Sequence, residues 1–123
     1  GMGGTLAFEA AIKRDDLEAS VAYAGFPHQY MGNFTQSNTP ILAIYGEHEP
    51  YIKAPAIAHL HQELKQALIA EHHRVEIIKG GGHELFSSDP YKLREVSKQA
   101  VNHTLAFLDQ HLEQPKHMRQ TRR

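Results

Sequence analysis

The chain has 123 residues and a formal net charge of −1, a length that suits one domain with a single core. A charge this close to zero gives no positive electrostatic field to attract nucleic acid or an anionic membrane. No apolar run reaches the roughly 18 residues of a membrane span. The chain has no cysteine, which excludes disulfides and thiolate chemistry within it and is compatible with a reducing cytoplasm. We therefore expect a cytoplasmic protein that binds neither nucleic acid nor membrane.

The hydrophobic periodicity alternates between helical and strand-like along the chain. It predicts, in order, a helix at 4–14, a strand from Ser20 to Gly25, a strand at 40–46, a helix at 53–73, a strand at 74–79 and a helix at 90–112. Strands separated by helices pair in parallel through right-handed crossovers. The sequence thus predicts an α/β fold with three α/β/α layers, in which a short parallel sheet of about three strands has helices on both faces.

Both long helices carry an apolar stripe that is expected to face the sheet. The stripe of the helix at 53–73 comprises Ile57, Leu60, Leu64, Ala67 and Leu68. The stripe of the helix at 90–112 comprises Leu93, Val96, Ala100, Leu105, Leu108 and Leu112. The polar stretch at 27–39 is long for a plain connection, so it either lines a site or runs over the surface.

Chemistry-bearing residues follow two neighbouring strands. Glu49 comes just after the strand at 40–46, and His83 comes after three glycines that follow the strand at 74–79. Ligands of open parallel sheets lie beyond the carboxyl ends of the strands. An acid and a histidine on that rim suit a pair in which the carboxylate holds the imidazole in the tautomer needed for general-base work.

These segments resemble the dienelactone hydrolase family of α/β-hydrolases. The run from Pro40 to Pro50 (PILAIYGEHEP) is similar to the family segment G-x-x-D-P that ends in the triad acid, and 82–86 (GHELF) is similar to the segment G-H-x-F with the triad histidine. The sequence at 102–112 resembles the closing helix, and 2–4 (MGG) resembles the end of the nucleophile elbow, G-x-[CS]-x-G-G. The resemblance covers the C-terminal half of the family domain, beginning at the elbow.

The resemblance implies a role for each matched position. His83 matches the general base, Glu49 the triad acid with glutamate in place of aspartate, and Met2 the residue whose backbone N–H helps to bind the oxyanion. The nucleophile position falls on Gly1, which has no side chain. The implied protein is a remnant of a hydrolase of carboxylic esters or lactones that is inactive alone. Whether it is an enzyme at all stays open.

Plainer interpretations stand beside these roles. His83 alone could be an ordinary loop histidine, and Glu49 could be a helix-capping or surface acid; the glycines and the family segments favour the triad positions. The ten histidines do not predict a metal site, since the closest pairs, His59 with His61 and His72 with His73, lack the spacing of a helical zinc pair. We expect neither metal nor cofactor.

Truncation of the domain has a second consequence. Without a preceding half, the strand from Ser20 to Gly25 would have an open edge of unpaired backbone groups. We therefore expect a homodimer through this edge, or alternatively a separately encoded N-terminal half that makes the chain one subunit of a split hydrolase. A third hypothesis is a working hydrolase whose nucleophile comes from a partner or from an unrecognised serine.

The predicted domain covers residues 1–113. The remaining residues, 114–123, are basic and nearly free of apolar side chains, so we expect them to form a flexible tail.

Overall fold

A computed structural model describes residues 2–86 and 94–112. The elements in chain order are helix α1 (Met2–Lys13), strands β1 (Ser20–Tyr23) and β2 (Ile41–Gly46), helix α2 (Ala54–Lys65), strand β3 (Arg74–Ile78) and helix α3 (Arg94–Leu112). Single 3₁₀ turns lie at His28–Tyr30, Phe34–Gln36 and Ala70–His72. The predicted start of the last helix at Pro90, its Leu93 and the predicted tail at 114–123 lie outside the described residues.

The described strands form one parallel sheet in the order β1-β2-β3. All six residues of β2 are buried, because β2 is the central strand and helices cover both of its faces. Ile41, Ala43 and Tyr45 face the layer that contains α1 and α2, whereas Leu42 and Ile44 face α3. This arrangement confirms the predicted three-layer α/β fold.

Helix α2 is shorter than the sequence predicts. It ends at Lys65 instead of continuing to residue 73, and the chain returns through the turn Ala70–His72. Just beyond the helix, the Leu68 N–H donates to the Thr35 carbonyl at 3.3 Å and so does not continue the helical hydrogen bonds. Leu68 therefore lies beyond the helix and is exposed, although its place on the predicted stripe is that of a core residue.

Helix α3 buries a different stripe from the predicted one. Val96, Ala100, Phe107 and His111 are buried, whereas Leu105 and Leu112 are exposed. The predicted set mixed two helix faces. Phe107 packs with Leu42 and Ile44 of β2, and His111 packs against the Phe107 ring. The assignment of Leu105 and Leu112 to the core was therefore wrong.

The polar stretch at 27–39 is built into the core layer. Tyr30 and Phe34 are buried, and the Phe34 ring packs edge-on against Phe8 of α1 with 5.2 Å between ring centroids. The Gly32 N–H donates to both carboxylate oxygens of Glu63 on α2, at 2.9 and 2.8 Å. The sequence left open whether this stretch lines a site or runs over the surface. The burial of Tyr30 and Phe34 excludes a surface course for its middle part.

The helices within 2–86 and 94–112 include none that is both long and apolar enough to cross a membrane.

Candidate active site

Glu49 lies in the turn that follows β2. Its side chain is only 2% exposed, and one carboxylate oxygen, Oε2, accepts a hydrogen bond of 2.9 Å from the backbone N–H of Tyr51. A carboxylate removed from water needs such partners to remain charged. The second oxygen, Oε1, points to the loop after β3.

That loop rests directly on the end of β2. A Cβ placed on Gly46 would lie 2.3 Å from the carbonyl oxygen of Gly82 and 2.4 Å from the carbonyl carbon of Gly81. The His48 N–H also donates to the Gly81 carbonyl at 2.8 Å. Glycine at position 46 thus permits the close backbone approach that brings the residue after Gly82 next to the acid.

His83 and Glu49 form the central contact of the site. The Nδ1 atom of His83 is hydrogen-bonded to Oε1 of Glu49, and the imidazole is 22% exposed. A carboxylate accepts from an N–H, so in the neutral imidazole this contact favours the tautomer with the proton on Nδ1 and a lone pair on Nε2. The prediction that these two residues meet on one rim of the sheet agrees with this geometry.

Two aromatic rings flank the imidazole. The Tyr51 ring lies edge-on to it at a centroid distance of 5.0 Å, and the Phe26 ring is tilted against it at 5.8 Å. Contacts of this kind hold a ring in one orientation through packing. Sequence reasoning missed both residues, although their positions, two residues after the acid and just after β1, are on the rim where ligands lie.

The start of α1 belongs to the same rim. Gly4 packs directly on Gly25, so that a Cβ on Gly4 would lie 2.8 Å from the Gly25 Cα. The Phe26 N–H donates to Oγ1 of Thr5 at 3.0 Å. Met2 is the first residue of this helix and has an exposed side chain. Its role as an oxyanion donor stays a prediction.

Tyr45 connects the buried end of β2 to this rim. Its hydroxyl donates to the carbonyl of Gly25 at 2.8 Å. Burial raises the pKa of Tyr45, and the negative charge of Glu49 raises it further. The phenol therefore remains protonated and keeps its hydrogen bond to the segment that carries Phe26.

The buried serine hydroxyls serve the fold. Ser20 donates to the Ala7 carbonyl at 2.8 Å, and Ser37 donates to the Ala11 carbonyl at 3.0 Å. Both bonds attach α1 to the sheet layer. Ser87 and Ser88, which follow the histidine loop in the sequence, lie outside the described residues.

Within residues 2–86 and 94–112 there is no group of three or more His, Asp or Glu side chains arranged to hold a metal. His72, His73 and His111 lie near the amino ends of the strands, away from His83: Nδ1 of His73 accepts from the Ile41 N–H at 3.0 Å.

The fold and this acid–histidine pair define a protein of the α/β-hydrolase type, and comparison with protein families identifies which one. The model of the dienelactone hydrolase family matches residues 1–112. The chain therefore belongs to the dienelactone hydrolase family.

A solved structure has a similar fold. It is described as a predicted CIB-like hydrolase from Thermoplasma acidophilum, with a TM-score of 0.55 and 15% sequence identity. The match covers 82% of this chain but 46% of that chain, so the present chain spans about half of that protein's length. No match was found among curated proteins.

Proposed function

We propose that this chain contributes the acid–histidine part of an active site that hydrolyses carboxylic esters or lactones. The observation that carries the proposal is the hydrogen bond between Nδ1 of His83 and the buried carboxylate of Glu49. Membership of the dienelactone hydrolase family supports the same chemistry.

In this mechanism Nε2 of His83 removes a proton from the nucleophile and later returns it to the leaving group. Glu49 holds the ring orientation and stabilises the imidazolium that forms. The backbone N–H of Met2, at the start of α1, donates to the oxyanion of the tetrahedral intermediate. Phe26 and Tyr51 keep the imidazole in place.

In this proposal the 123 residues lack the nucleophile. The position that the family resemblance gives to it is Gly1, which has no side chain, and the chain contains no cysteine. We therefore expect the 123-residue polypeptide to hydrolyse nitrophenyl acetate no faster than free imidazole does at the concentration of its histidines. Turnover that disappears in His83→Ala would contradict this part of the proposal, and labelling by a fluorophosphonate probe would reveal an unrecognised serine.

A direct test supplies the missing nucleophile. Gly1→Cys gives the polypeptide its only thiol, and its alkylation by iodoacetamide is measured against pH. We expect faster alkylation near neutral pH in Gly1→Cys than in the same variant with His83→Ala, because a nearby imidazole promotes thiolate formation. Adding His48→Ala is the control, since His48 is exposed and pairs with Glu47. Equal rates in all three proteins would contradict the proposed position of the nucleophile.

A second candidate function is that of one subunit in a split hydrolase. It is favoured by α1, which leads into parallel strand β1 and lies on the same face as α2. A helix in that place normally connects a preceding parallel strand to the next one. Co-expression with the polypeptide encoded immediately upstream tests this function: we expect co-purification and ester hydrolysis that needs both polypeptides. Activity of either one alone, or no association, would contradict it.

A further inference from the structure

The chain leaves strand β1 through a strained turn at residues 24–26. Ala24 has a φ of 50°, in the left-handed region that residues with a Cβ rarely adopt, and its side chain is buried. A conformation of this kind persists only where neighbouring contacts hold it, and such strain concentrates at functional sites. The contacts of the next two residues, Gly25 and Phe26, therefore indicate what the turn positions.

The turn is packed against helix α1. A Cβ on Gly25 would lie 2.7 Å from the carbonyl carbon of Gly4 and 2.7 Å from the ring of Phe8. Just beyond it, the Phe26 N–H donates to Oγ1 of Thr5 at 3.0 Å. These contacts join the turn to the first part of α1, the helix whose start is the predicted place of the oxyanion donor.

A side-chain hydrogen bond ties the same turn to the end of β2. The hydroxyl of Tyr45 donates to the Gly25 carbonyl at 2.8 Å, and the Tyr45 side chain is fully buried. Because water does not reach the phenol, removal of its hydroxyl would leave the carbonyl without this donor inside the protein.

We propose that Tyr45 is a positioning residue for the imidazole of His83 and that it acts through the turn at 24–26. Its hydroxyl fixes the Gly25 carbonyl, and the residue after Gly25 is Phe26, whose ring packs on the imidazole at a centroid distance of 5.8 Å. Since Gly25 also rests on α1, this hydrogen bond sets the imidazole and the start of the helix relative to each other. The role rests on the proposed acid–histidine function, and each of its contacts lies within the part of the chain that the structure describes.

Tyr23 on strand β1 offers a matched comparison. Its hydroxyl shares a hydrogen bond of 2.7 Å with Oγ1 of Thr104 on α3. Tyr23 thus faces the layer of α3, whereas Tyr45 faces the layer of α1 and α2. Tyr45→Phe and Tyr23→Phe each remove one hydroxyl and keep the ring, but the bond that is lost holds the turn in the first variant and α3 in the second.

Hydrogen exchange of the 123-residue polypeptide, followed by NMR, tests the hold on the turn. We expect the Phe26 N–H to exchange about fivefold faster in Tyr45→Phe than in the parent protein, since a hydrogen bond to the turn is lost. Each rate is taken relative to the amides of the central strand β2, which report opening of the whole fold. In Tyr23→Phe we expect the relative rate to stay within about twofold of the parent. Equal relative rates in the two variants would overturn the proposal.

The NMR signals of the carbon-bound ring protons of His83 test whether the effect reaches the imidazole. We expect their chemical shifts to change in Tyr45→Phe and to keep the parent values in Tyr23→Phe, because the Phe26 ring moves against the imidazole in the first variant alone. Circular dichroism verifies that both variants are folded. His83 signals that are unchanged in folded Tyr45→Phe would overturn the proposal.

Two further variants test the route through the turn. In a Phe26→Leu background, Tyr45→Phe is expected to leave the His83 signals unchanged, because the ring that transmits the effect is gone; a change that persists there would overturn the route. Thr5→Val removes the acceptor of the Phe26 N–H and is expected to change the His83 signals while Tyr45 is intact. Unchanged signals in this variant would overturn the role of the turn, whether or not Tyr45→Phe folds.

Failure of this role is distinguishable from failure of the proposed function. The carbon-bound protons of His83 are observed whether or not its Nδ1–H is bonded to Glu49. Absence of an Nδ1–H resonance from the folded parent protein would contradict the acid–histidine pair. His83 signals that do not respond to Tyr45→Phe, in a parent protein that shows that resonance, would overturn the positioning role and leave the pair intact.

Discussion

The close approach of Gly46 to the histidine loop leads to a sharp prediction. In Gly46→Ala the new Cβ would meet three backbone atoms of Gly81 and Gly82 at 2.3 to 2.4 Å, a separation that requires the backbone to move. Gly46 ends the buried strand β2, whose Tyr45 side chain is fully buried. The structure therefore has to displace the loop that carries His83.

We expect the substitution to lower the free energy of unfolding by about 2 kcal/mol, in the range of overpacked cores. Urea denaturation followed by circular dichroism measures this as a midpoint about 1 M lower. The matched control is Gly82→Ala, where a Cβ would meet no atom within 4 Å; we expect a change of less than about 0.5 kcal/mol. If Gly46→Ala unfolds at the same urea concentration as Gly82→Ala, the reasoning about this contact is refuted.

Three further predictions concern residues that hold the scaffold. Burial and two neighbouring histidines lower the pKa of His73 to about 4. As the pH falls, the unfolded chain therefore binds the proton before the folded chain does. The free energy of unfolding is thus highest above about pH 6.5 and falls as the pH drops toward 4. Urea midpoints at pH 7.5 and 5 check this, and equal midpoints would contradict it. Glu63→Ala leaves the Gly32 N–H without its carboxylate and is expected to cost about 1–3 kcal/mol in the same assay; an unchanged midpoint would show that this bond contributes nothing. Gly4→Ala is expected to lower the free energy of unfolding, since the new Cβ would lie 2.4 Å from the Tyr23 carbonyl oxygen. Gly3→Ala has open space around the new Cβ and is expected to raise the free energy of unfolding by about 0.5–1 kcal/mol, because alanine favours the helix more than glycine does. Similar effects of the two glycine substitutions would contradict the packing of α1.

The predictable part of the fold rests on local patterns. The continuous apolar run of β2 identified a strand buried on both faces, and the helices around it required parallel pairing. The end of α2 was not predictable in this way, because Ala67 and Leu68 continue the helical periodicity beyond Lys65. Beyond that end the Leu68 N–H bonds to the Thr35 carbonyl, a contact between separate segments that the helical periodicity does not contain.

The candidate site was predictable where single strands lead to it. Glu49 and His83 each follow a strand, so the parallel sheet alone brings them to one rim. The rings of Phe26 and Tyr51 were not predictable, because their contact with His83 depends on how three separate loops fold over that rim. The same holds for the exposure of Leu105 and Leu112 on α3, which depends on which helix face the sheet covers.

The central claim is that Glu49 holds the proton of His83 on Nδ1 and thereby makes Nε2 a base. Proton NMR of the polypeptide with ¹⁵N-labelled histidine tests it most directly, through the low-field Nδ1–H resonance that a hydrogen bond to a buried carboxylate produces. We predict this resonance in the parent protein and in the control variant Glu47→Ala. The Glu47 carboxylate accepts from the Gly80 N–H, so its removal leaves the His83 hydrogen bond in place. We predict loss of the resonance in Glu49→Ala and in His83→Gln. A resonance that persists in Glu49→Ala, or its absence from the folded parent protein, would contradict the account.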